Sequence, residues 1–412
     1  MKNKKPAYIY ISGSRENTGK TTTCLGIISL LLEKYEAKDI GYIKPVGQHL
    51  KKVSEQVSFD TDAELIRSFC LVNGLEEEFI TPIRLGQGFT QEFLKRSDQI
   101  KAKQELISLL MESIQKVQNK KVVVIEGTGH PGVGAVVGLS NADVANHLGA
   151  GILFITGGGI GKSLDTLEID LSYFYLKKTY VKGIIFNKVK PEKLSKCREY
   201  VTEELINQKY GQFFNKAQGE SQQSHSINYI SNQLKIFGFI PYYTPLAWPG
   251  MKYIAENWQK QDNVKILNAD LTKKWQQPIN GIRIISLDSK SKHLESYIFD
   301  KDVVLIPAAN IRSLKKIKHC NEQLRSKKME IGGIILTCGR TEDLKNELLS
   351  HINALEVPAI YVNSDTATSE AILLKILEYV KIQTYEKDKY EQIKYLYKTY
   401  IKTGELFQEF GI

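Results

Sequence analysis

The first 190 residues alternate short apolar runs with longer stretches in which apolar residues recur at helical spacing. The short runs predict strands at Tyr8–Ser12, Ile40–Ile43, Val122–Glu126, Ile152–Thr156 and Val181–Asn187. The spaced pattern predicts helices at Thr21–Tyr35, Asp62–Leu71, Gln91–Gln118, Ser140–Leu148 and Ser163–Leu176. Continuous apolar strands separated by helices favour an α/β fold with a mostly parallel sheet covered by helices on both faces.

Residues 211–233 interrupt this pattern because they are rich in Gln, Ser and Asn and hold few apolar positions, which predicts a long exposed loop. A strand at Leu234–Ile240 and a helix at Pro245–Trp258 follow. The polar stretch 261–280 is the predicted linker, so the first domain is predicted to span residues 1–260.

A second, smaller α/β domain is predicted for residues 281–383. Its strands are predicted at Ile282–Leu287, Val303–Pro307, Gly333–Thr337 and Ala359–Val362. Residues 384–412 are rich in tyrosine and lysine at helical spacing. We expect this tail to be helical and to pack on one of the two domains.

The composition is that of an ordinary globular protein, with 412 residues, 42% hydrophobic and 25% charged. The apolar runs are far shorter than the roughly 20 residues that a membrane span needs. The first residues lack the apolar core and cleavage site of a signal peptide. The five cysteines are widely spaced, which predicts reduced thiols. We therefore expect a soluble cytoplasmic protein without a membrane partner.

The net charge of +10 raises the question of a nucleic-acid partner. Most of the excess lies in residues 1–280, where basic residues are scattered among acids. A protein that handles polyphosphate or an acidic metabolite has the same balance. We favour that interpretation and expect no nucleic acid.

The segment Gly13–Thr22, Gly-Ser-Arg-Glu-Asn-Thr-Gly-Lys-Thr-Thr, joins the first predicted strand to the first predicted helix. Glycines let backbone N–H groups turn toward phosphate oxygens, and the helix N-terminus adds its positive end. In such a loop Lys20 reaches the β- and γ-phosphates and the Thr21 hydroxyl holds Mg²⁺. Five residues separate Gly13 from Gly19, one more than in the common motif. We predict a phosphate-binding loop rather than a helix start that binds nothing.

Three further side chains stand at ends of predicted elements. Glu126 ends an apolar strand, as in a Walker B element, and either binds Mg²⁺ or only caps a loop. The segment Asp60–Asp62 opens a helix and supplies either a second carboxylate of the site or only a helix cap. Asn187 ends another strand, where its amide either reads the adenine edge or forms a turn.

Several segments occur together in a recognisable order: Gly13–Thr22, Tyr42–Gln48, Thr61–Ala63, Glu126–His130, Asn187–Lys188 and Gly238–Pro241. This set resembles dethiobiotin synthetase and its relatives, which include cobyrinic acid a,c-diamide synthase and the N-terminal part of phosphate acetyltransferase. The resemblance covers residues 6–258.

The resemblance implies an Mg-ATP-dependent ligase that activates a carboxylate or carbamate by γ-phosphoryl transfer. It implies catalytic roles for Lys20 and Lys44, and Mg²⁺ ligation by Thr21, Asp62 and Glu126. The positions that it assigns to nucleotide are Gly13, Glu16, Asn17, Thr18, Gly19, Lys20, Thr21, Thr22, Asn187 and Pro241. The positions that it assigns to substrate are Lys44, Gly127, Thr128 and His130. Two lysines and a metal suit this reaction because its transition state carries charge on the transferred phosphoryl group.

The sequence departs from dethiobiotin synthetase at two loops. Glu16 and Asn17 stand where those enzymes carry a threonine–acid pair, and Thr128–Gly134 replaces a glycine pair after the Walker B strand. His130 in that loop either contacts substrate or γ-phosphate, or caps the loop. The identity of the acid and of the amine is left open.

The second domain resembles, more faintly, the DRTGG-type domain that follows this module in some phosphate acetyltransferases. The name-giving motif is absent, and Pro307–Asn310 and Cys338–Arg340 stand in its place. Two functions remain: a synthetase acting on a small carboxylate or amine, and a nucleotide-binding regulatory or sensor protein. The relatives imply a homodimer.

Overall fold

The computed structural model describes residues 5–48, 50–52, 58–70, 77–86, 88–211, 213, 233–285, 294–339 and 346–412. Most of the predicted polar loop at 211–233 and Arg340 lie outside the described residues.

The described strands are, in chain order, β1 Ala7–Gly13, β2 Ile40–Ile43, β3 Val46–Gly47, β4 Leu50–Lys52, β5 Ser58–Asp60, β6 Ile83–Arg84, β7 Val122–Glu126, β8 Gly151–Thr156, β9 Val181–Val189, β10 Lys235–Pro241, β11 Val264–Leu267, β12 Gly281–Ile284, β13 Asp302–Pro307, β14 Gly333–Thr337 and β15 Ala359–Val362.

The described α-helices are α1 Lys20–Leu31, α2 Thr61–Cys70, α3 Glu77–Ile80, α4 Phe89–Lys95, α5 Gln99–Lys116, α6 Asn141–Leu148, α7 Ile160–Leu176, α8 Leu194–Tyr200, α9 Glu203–Tyr210, α10 Thr244–Ala247, α11 Met251–Trp258, α12 Thr272–Gln276, α13 Ile311–Ser326, α14 Asn346–Asn353, α15 Thr366–Glu378, α16 Lys387–Tyr400 and α17 Thr403–Phe410. Short 3-10 turns lie at Ala37–Asp39, Ala135–Val137, Pro191–Lys193 and Leu294–Ser296.

The chain forms two compact units, one of residues 1–242 together with 390–412 and one of residues 243–389. The sheet of the first unit is parallel, in the order β10-β9-β8-β1-β7-β2. All five residues of β7 are buried, as expected for a strand covered on both faces. This confirms the α/β fold with a parallel sheet.

Strand β1 lies in the middle of this sheet, between β7 and β8. The chain leaves β7 on one side of β1 and enters β8 on the other side. Loops that follow strands on opposite sides of such a point diverge and open a crevice at the carboxyl ends of the strands. The segment after β1 therefore lies where α/β proteins bind ligands.

The C-terminal helices α16 and α17 belong to the first unit from Tyr390 onward. Tyr397 packs on α1, and its hydroxyl lies 2.7 Å from Thr23 Oγ1. A side chain at Gly26 would overlap the ring of Tyr397, so this close approach requires glycine. Ile401 forms a backbone bridge with Gly238 beside β10, which covers that edge of the sheet.

The second unit holds a five-stranded sheet in the order β11-β15-β14-β13-β12. Its strands are parallel except β11, which pairs antiparallel with β15. Helices α13 and α14 pack on one face of this sheet, and α11 and α15 pack on the other.

The boundary between the units lies at Tyr242–Tyr243, earlier than the predicted domain end at residue 260. The predicted linker 261–280 contains β11 and α12, so it is part of the second unit. The reason is burial, because Met251, Ile254 and Trp258 of α11 pack into the core of the second sheet. The predicted closing helix Pro245–Trp258 therefore belongs to the second unit, whereas β10 stays in the sheet of the first.

Two predicted helices are each divided in the structure. The predicted helix Gln91–Gln118 is broken where Arg96 takes an extended backbone and its Nε pairs with Asp98 Oδ1 at 2.8 Å. The predicted helix Pro245–Trp258 is broken at Gly250, which forms a backbone bridge with Pro278. No helix within the described residues is long and apolar enough to cross a membrane.

Candidate functional site

The loop between β1 and α1 forms a tight arch. Asn17 and Gly19 have positive φ angles of 59° and 99°. A side chain at Gly13 would overlap the hydroxyl of Thr18, which donates to the Arg15 carbonyl at 3.1 Å. The arch therefore has the glycine-bounded shape in which backbone N–H groups can surround a phosphate.

Lys20 is the first residue of α1 and is 8% exposed. Its Nζ donates to the Arg15 carbonyl at 2.9 Å, so the side chain lies back along the inside of the arch. Burial lowers the pKa of Lys20 to about 8, although the negative charge of Glu126 opposes this shift. A phosphate in the arch would give this poorly solvated ammonium the counter-charge that it lacks.

Glu126 ends β7 and lies beside the arch, with 1% of its surface exposed. Thr21 Oγ1 donates to Glu126 Oε1 at 2.7 Å, and Tyr42 OH donates to Glu126 Oε2 at 2.7 Å. Burial raises the pKa of the Glu126 carboxyl, and the positive charge of Lys44 opposes that rise. Two hydroxyl donors from different elements thus fix the orientation of this carboxylate.

Lys44 follows β2 and is 2% exposed. Its Nζ lies 2.9 Å from Asp60 Oδ1, in contact with Asp62 Oδ2, and 3.8 Å from Glu126 Oε1. Burial by itself would lower the pKa of Lys44, but the three carboxylates outweigh burial and raise it above its usual range. Lys44 is therefore a charged ammonium enclosed by carboxylates.

Asp60 fixes both Lys44 and the start of α2. Its Oδ1 accepts the bond from Lys44 Nζ and also one from the backbone N–H of Asp62 at 2.9 Å. No hydrogen-bond partner for Asp60 Oδ2 lies within the described part of the chain, and this oxygen is buried. The cluster of Lys44, Asp60, Asp62 and Glu126 is called the carboxylate cluster below.

Asn187 and Lys188 lie near the end of β9, and their side chains reach the arch. Asn187 Nδ2 donates to the Thr18 carbonyl at 2.8 Å, and Lys188 Nζ donates to the Asn17 carbonyl at 2.6 Å. Gly19 leaves room for this approach, because a side chain there would overlap Asn187 Nδ2. The Asn187 amide, for which adenine contact is predicted, thus binds the backbone of the arch.

The loop after β7 is held by a buried asparagine of α6. Asn141 Nδ2 donates to the carbonyls of Thr128 at 2.8 Å and His130 at 2.7 Å, and its Oδ1 accepts from the Thr128 N–H at 2.9 Å and from Tyr10 OH at 3.0 Å. Thr128 Oγ1 donates to the Val46 carbonyl, which links this loop to the segment that carries Lys44.

The predicted site residues fall into three groups. Lys20, Thr21, Lys44, Asp62 and Glu126 meet around the arch and the carboxylate cluster. Gly13, Asn17, Thr18 and Gly19 form the arch itself, which Asn187 contacts from β9. The third group comprises Glu16, which is exposed, Thr22, which is half-buried on α1, the loop Gly127–His130 after β7, where the His130 imidazole accepts from the Gly132 N–H at 3.2 Å, and Pro241, which ends β10 in register with Val189.

The oxygen donors at this point suit Mg²⁺, which prefers carboxylate and hydroxyl oxygens. Thr21 and Glu126 are hydrogen-bonded to each other, and Asp62 is linked to Glu126 through Lys44. Within the described residues, no group of three or more His, Cys, Asp or Glu side chains could hold a metal ion by itself. These side chains therefore fit a cation that also binds substrate phosphates, as Mg²⁺ usually does.

Sequence reasoning did not assign site roles to Tyr42 or Asn141, and it named Asp60 only as part of the segment Asp60–Asp62 that supplies a second carboxylate. Tyr42 and Asp60 stand within segments that carry the resemblance, or directly beside them, but a tyrosine in a strand and an aspartate before a helix are both ordinary there. Asn141 follows the N-cap Ser140, where a polar residue needs no other explanation. Only the packing of α6 against the loop after β7 shows its four hydrogen bonds.

Comparison with known proteins identifies one family. The family AAA_26, described as an AAA domain, matches residues 7–250. No curated protein matches the sequence. A solved structure that matches is the MinD cell division protein of Aquifex aeolicus, at 13% identity and a TM-score of 0.30, covering 58% of this chain and 83% of that one.

Proposed function

The chain belongs to the AAA_26 family, a P-loop NTPase family related to dethiobiotin synthetase, and from that premise we propose an Mg-ATP-dependent synthetase. The enzyme would activate a carboxylate or carbamate by transfer of the γ-phosphoryl group, and an amine would then displace phosphate. The family supports nucleotide binding, and the ligase reaction is what we propose in addition.

The observation that carries the proposal is the meeting of two buried lysines with the Walker B carboxylate. Lys20 lies inside the arch, and Lys44 lies 3.8 Å from Glu126 on a different strand. Phosphoryl transfer needs positive charge on both sides of the transferred group more than it needs covalent help from the protein.

In the proposed reaction a carboxylate or carbamate oxygen attacks the γ-phosphorus, the bond from γ-phosphorus to the bridging oxygen breaks, and ADP leaves. In this proposal Lys20 holds the β- and γ-phosphate oxygens, and Lys44 neutralises the entering oxygen anion. Bound Mg²⁺ would supply further charge neutralisation at the phosphates, held by Thr21, Asp62 and Glu126. The amine then attacks the acyl carbon, and inorganic phosphate leaves with the electron pair of the C–O bond.

The test is ADP release from Mg-ATP, measured for the natural protein and for Lys20→Ala. Each protein is assayed alone, and with bicarbonate plus a panel of diamines and dicarboxylates that includes the dethiobiotin precursor. Release that a panel member stimulates, and that Lys20→Ala loses, supports a synthetase. Nucleotide binding without stimulation by any member contradicts it.

A second candidate function, a nucleotide sensor, is favoured by the connectivity of the chain. Residues 243–389 are inserted between β10 and the C-terminal helices, and both flanking segments belong to the first unit. The faint resemblance of the second unit to a DRTGG-type domain fits this candidate. Hydrogen exchange in residues 243–389, with and without Mg-ATP, tests it, since a sensor requires that exchange there changes when nucleotide binds.

A further inference from the structure

Among the described residues, the carboxylate cluster brings three carboxylates to the ammonium of Lys44. The side chains of Lys44, Asp60, Asp62 and Glu126 are 3%, 0%, 14% and 2% exposed. Buried carboxylates are costly unless each is paired. A nucleotide-free protein therefore needs the ammonium where the carboxylates converge.

The partners of Lys44 differ in what else they can do. Asp62 and Glu126 are the two carboxylates that a divalent cation would use together with Thr21. Asp60 bonds to the Asp62 N–H as well as to Lys44, so α2 fixes it in place. One partner of Lys44 is thus structural, and two are shared with the cation.

We infer that Lys44 is an internal counter-ion that occupies the place of the divalent cation until Mg-nucleotide arrives, and that Asp60 is the positioning residue that keeps hold of Lys44 when the cation takes over Asp62 and Glu126. The inference rests on the cation-binding part of the proposed function and not on the reaction. The freed ammonium then faces the γ-phosphate, so the cation and Lys44 enter their working positions in one event.

This arrangement has a measurable consequence for the nucleotide-free protein. An ammonium and a divalent cation that need the same carboxylates exclude each other by charge repulsion at close range. The natural protein is therefore expected to bind free divalent cation weakly. Removal of the Lys44 charge is expected to increase its cation affinity.

The experiment measures Mn²⁺ binding by electron paramagnetic resonance without nucleotide, in the natural protein, Lys44→Met and Lys20→Met. Lys20→Met is the matched control, because it removes the same charge from a buried lysine whose Nζ bonds a carbonyl and no carboxylate. We expect Lys44→Met to bind Mn²⁺ at least about tenfold tighter than the natural protein. Lys20→Met should tighten binding by less, because Lys20 acts on Glu126 by charge alone, whereas Lys44 also bonds directly to Asp62. Lys44→Met combined with Glu126→Gln should lose the gain, which assigns it to this site.

Lys44→Met leaves three buried carboxylates without their ammonium, so its folding is followed by circular dichroism with Mn²⁺ and with chelator. Folding that needs Mn²⁺ in Lys44→Met, but not in the natural protein, supports the inference. A second variant, Lys44→Met with Asp60→Asn, removes one positive and one negative charge, so the net charge of the cluster is that of the natural protein and both shared carboxylates are kept. If neither variant binds Mn²⁺ tighter than Lys20→Met, the inference is wrong, whatever the result of the ADP assay.

Discussion

We predict that Lys20 makes nucleotide binding dependent on pH in a range where few other side chains titrate. Its pKa is lowered to about 8 by burial, whereas that of an unfolded lysine is near 10.5. A bound phosphate restores the counter-charge and keeps the ammonium protonated. Above pH 8 the free protein therefore has to take up a proton on binding, and the affinity for Mg-ATP is expected to fall about tenfold per pH unit.

The same pKa fixes the sign of the effect on folding. Between pH 8 and 10.5 the unfolded chain holds a proton on Lys20 that the folded chain has lost, so stability rises with pH across this window. The difference between the two pKa values corresponds to about 3 kcal/mol of unfolding free energy. Lys20→Met is expected to be more stable than the natural protein below pH 8, and the difference should disappear above pH 10.5.

The assay is calorimetric titration with Mg-ATP at pH 7, 8 and 9, in two buffers of different ionisation enthalpy. At pH 9 the natural protein is expected to take up nearly one proton per nucleotide. Lys20→Arg is the control, because a guanidinium stays charged over this range. An affinity that is flat from pH 7 to 9, with no dependence on buffer, would refute the reasoning.

Two further predictions concern packing and loop position. Gly26→Ala should destabilise the protein by roughly 1–3 kcal/mol, because the new methyl group would overlap the Tyr397 ring. Gly404→Ala meets open space and should be neutral or slightly stabilising. Urea unfolding of both variants measures the difference. Asn141→Ala should cost roughly 2–4 kcal/mol in unfolding free energy, since it leaves buried backbone groups of the loop after β7 unpaired, while Asn146→Ala on the exposed side of the same helix should cost little. Equal losses in the two asparagine variants would contradict the role of Asn141.

The sequence by itself determined the parallel sheet of the first unit. The strands at Ile40–Ile43 and Val122–Glu126 have the predicted bounds, because continuous apolar runs can be buried on both faces only inside such a sheet. The phosphate loop was also predictable, since glycine spacing, a lysine and a following helix are all local features. The roles assigned to the individual site residues remain predictions.

Only the tertiary structure decided which charges face one another and where the units divide. Asp60 lies sixteen residues after Lys44, and Glu126 lies much farther along the chain. The enclosure of the Lys44 ammonium by these carboxylates therefore depends on how β2, β7 and α2 pack. The boundary at Tyr242–Tyr243 depends likewise on where Trp258 is buried, which a polar stretch at 261–280 does not reveal. The sequence pattern of a segment indicates which of its residues can be buried. The residues against which they pack are determined only when the whole chain folds.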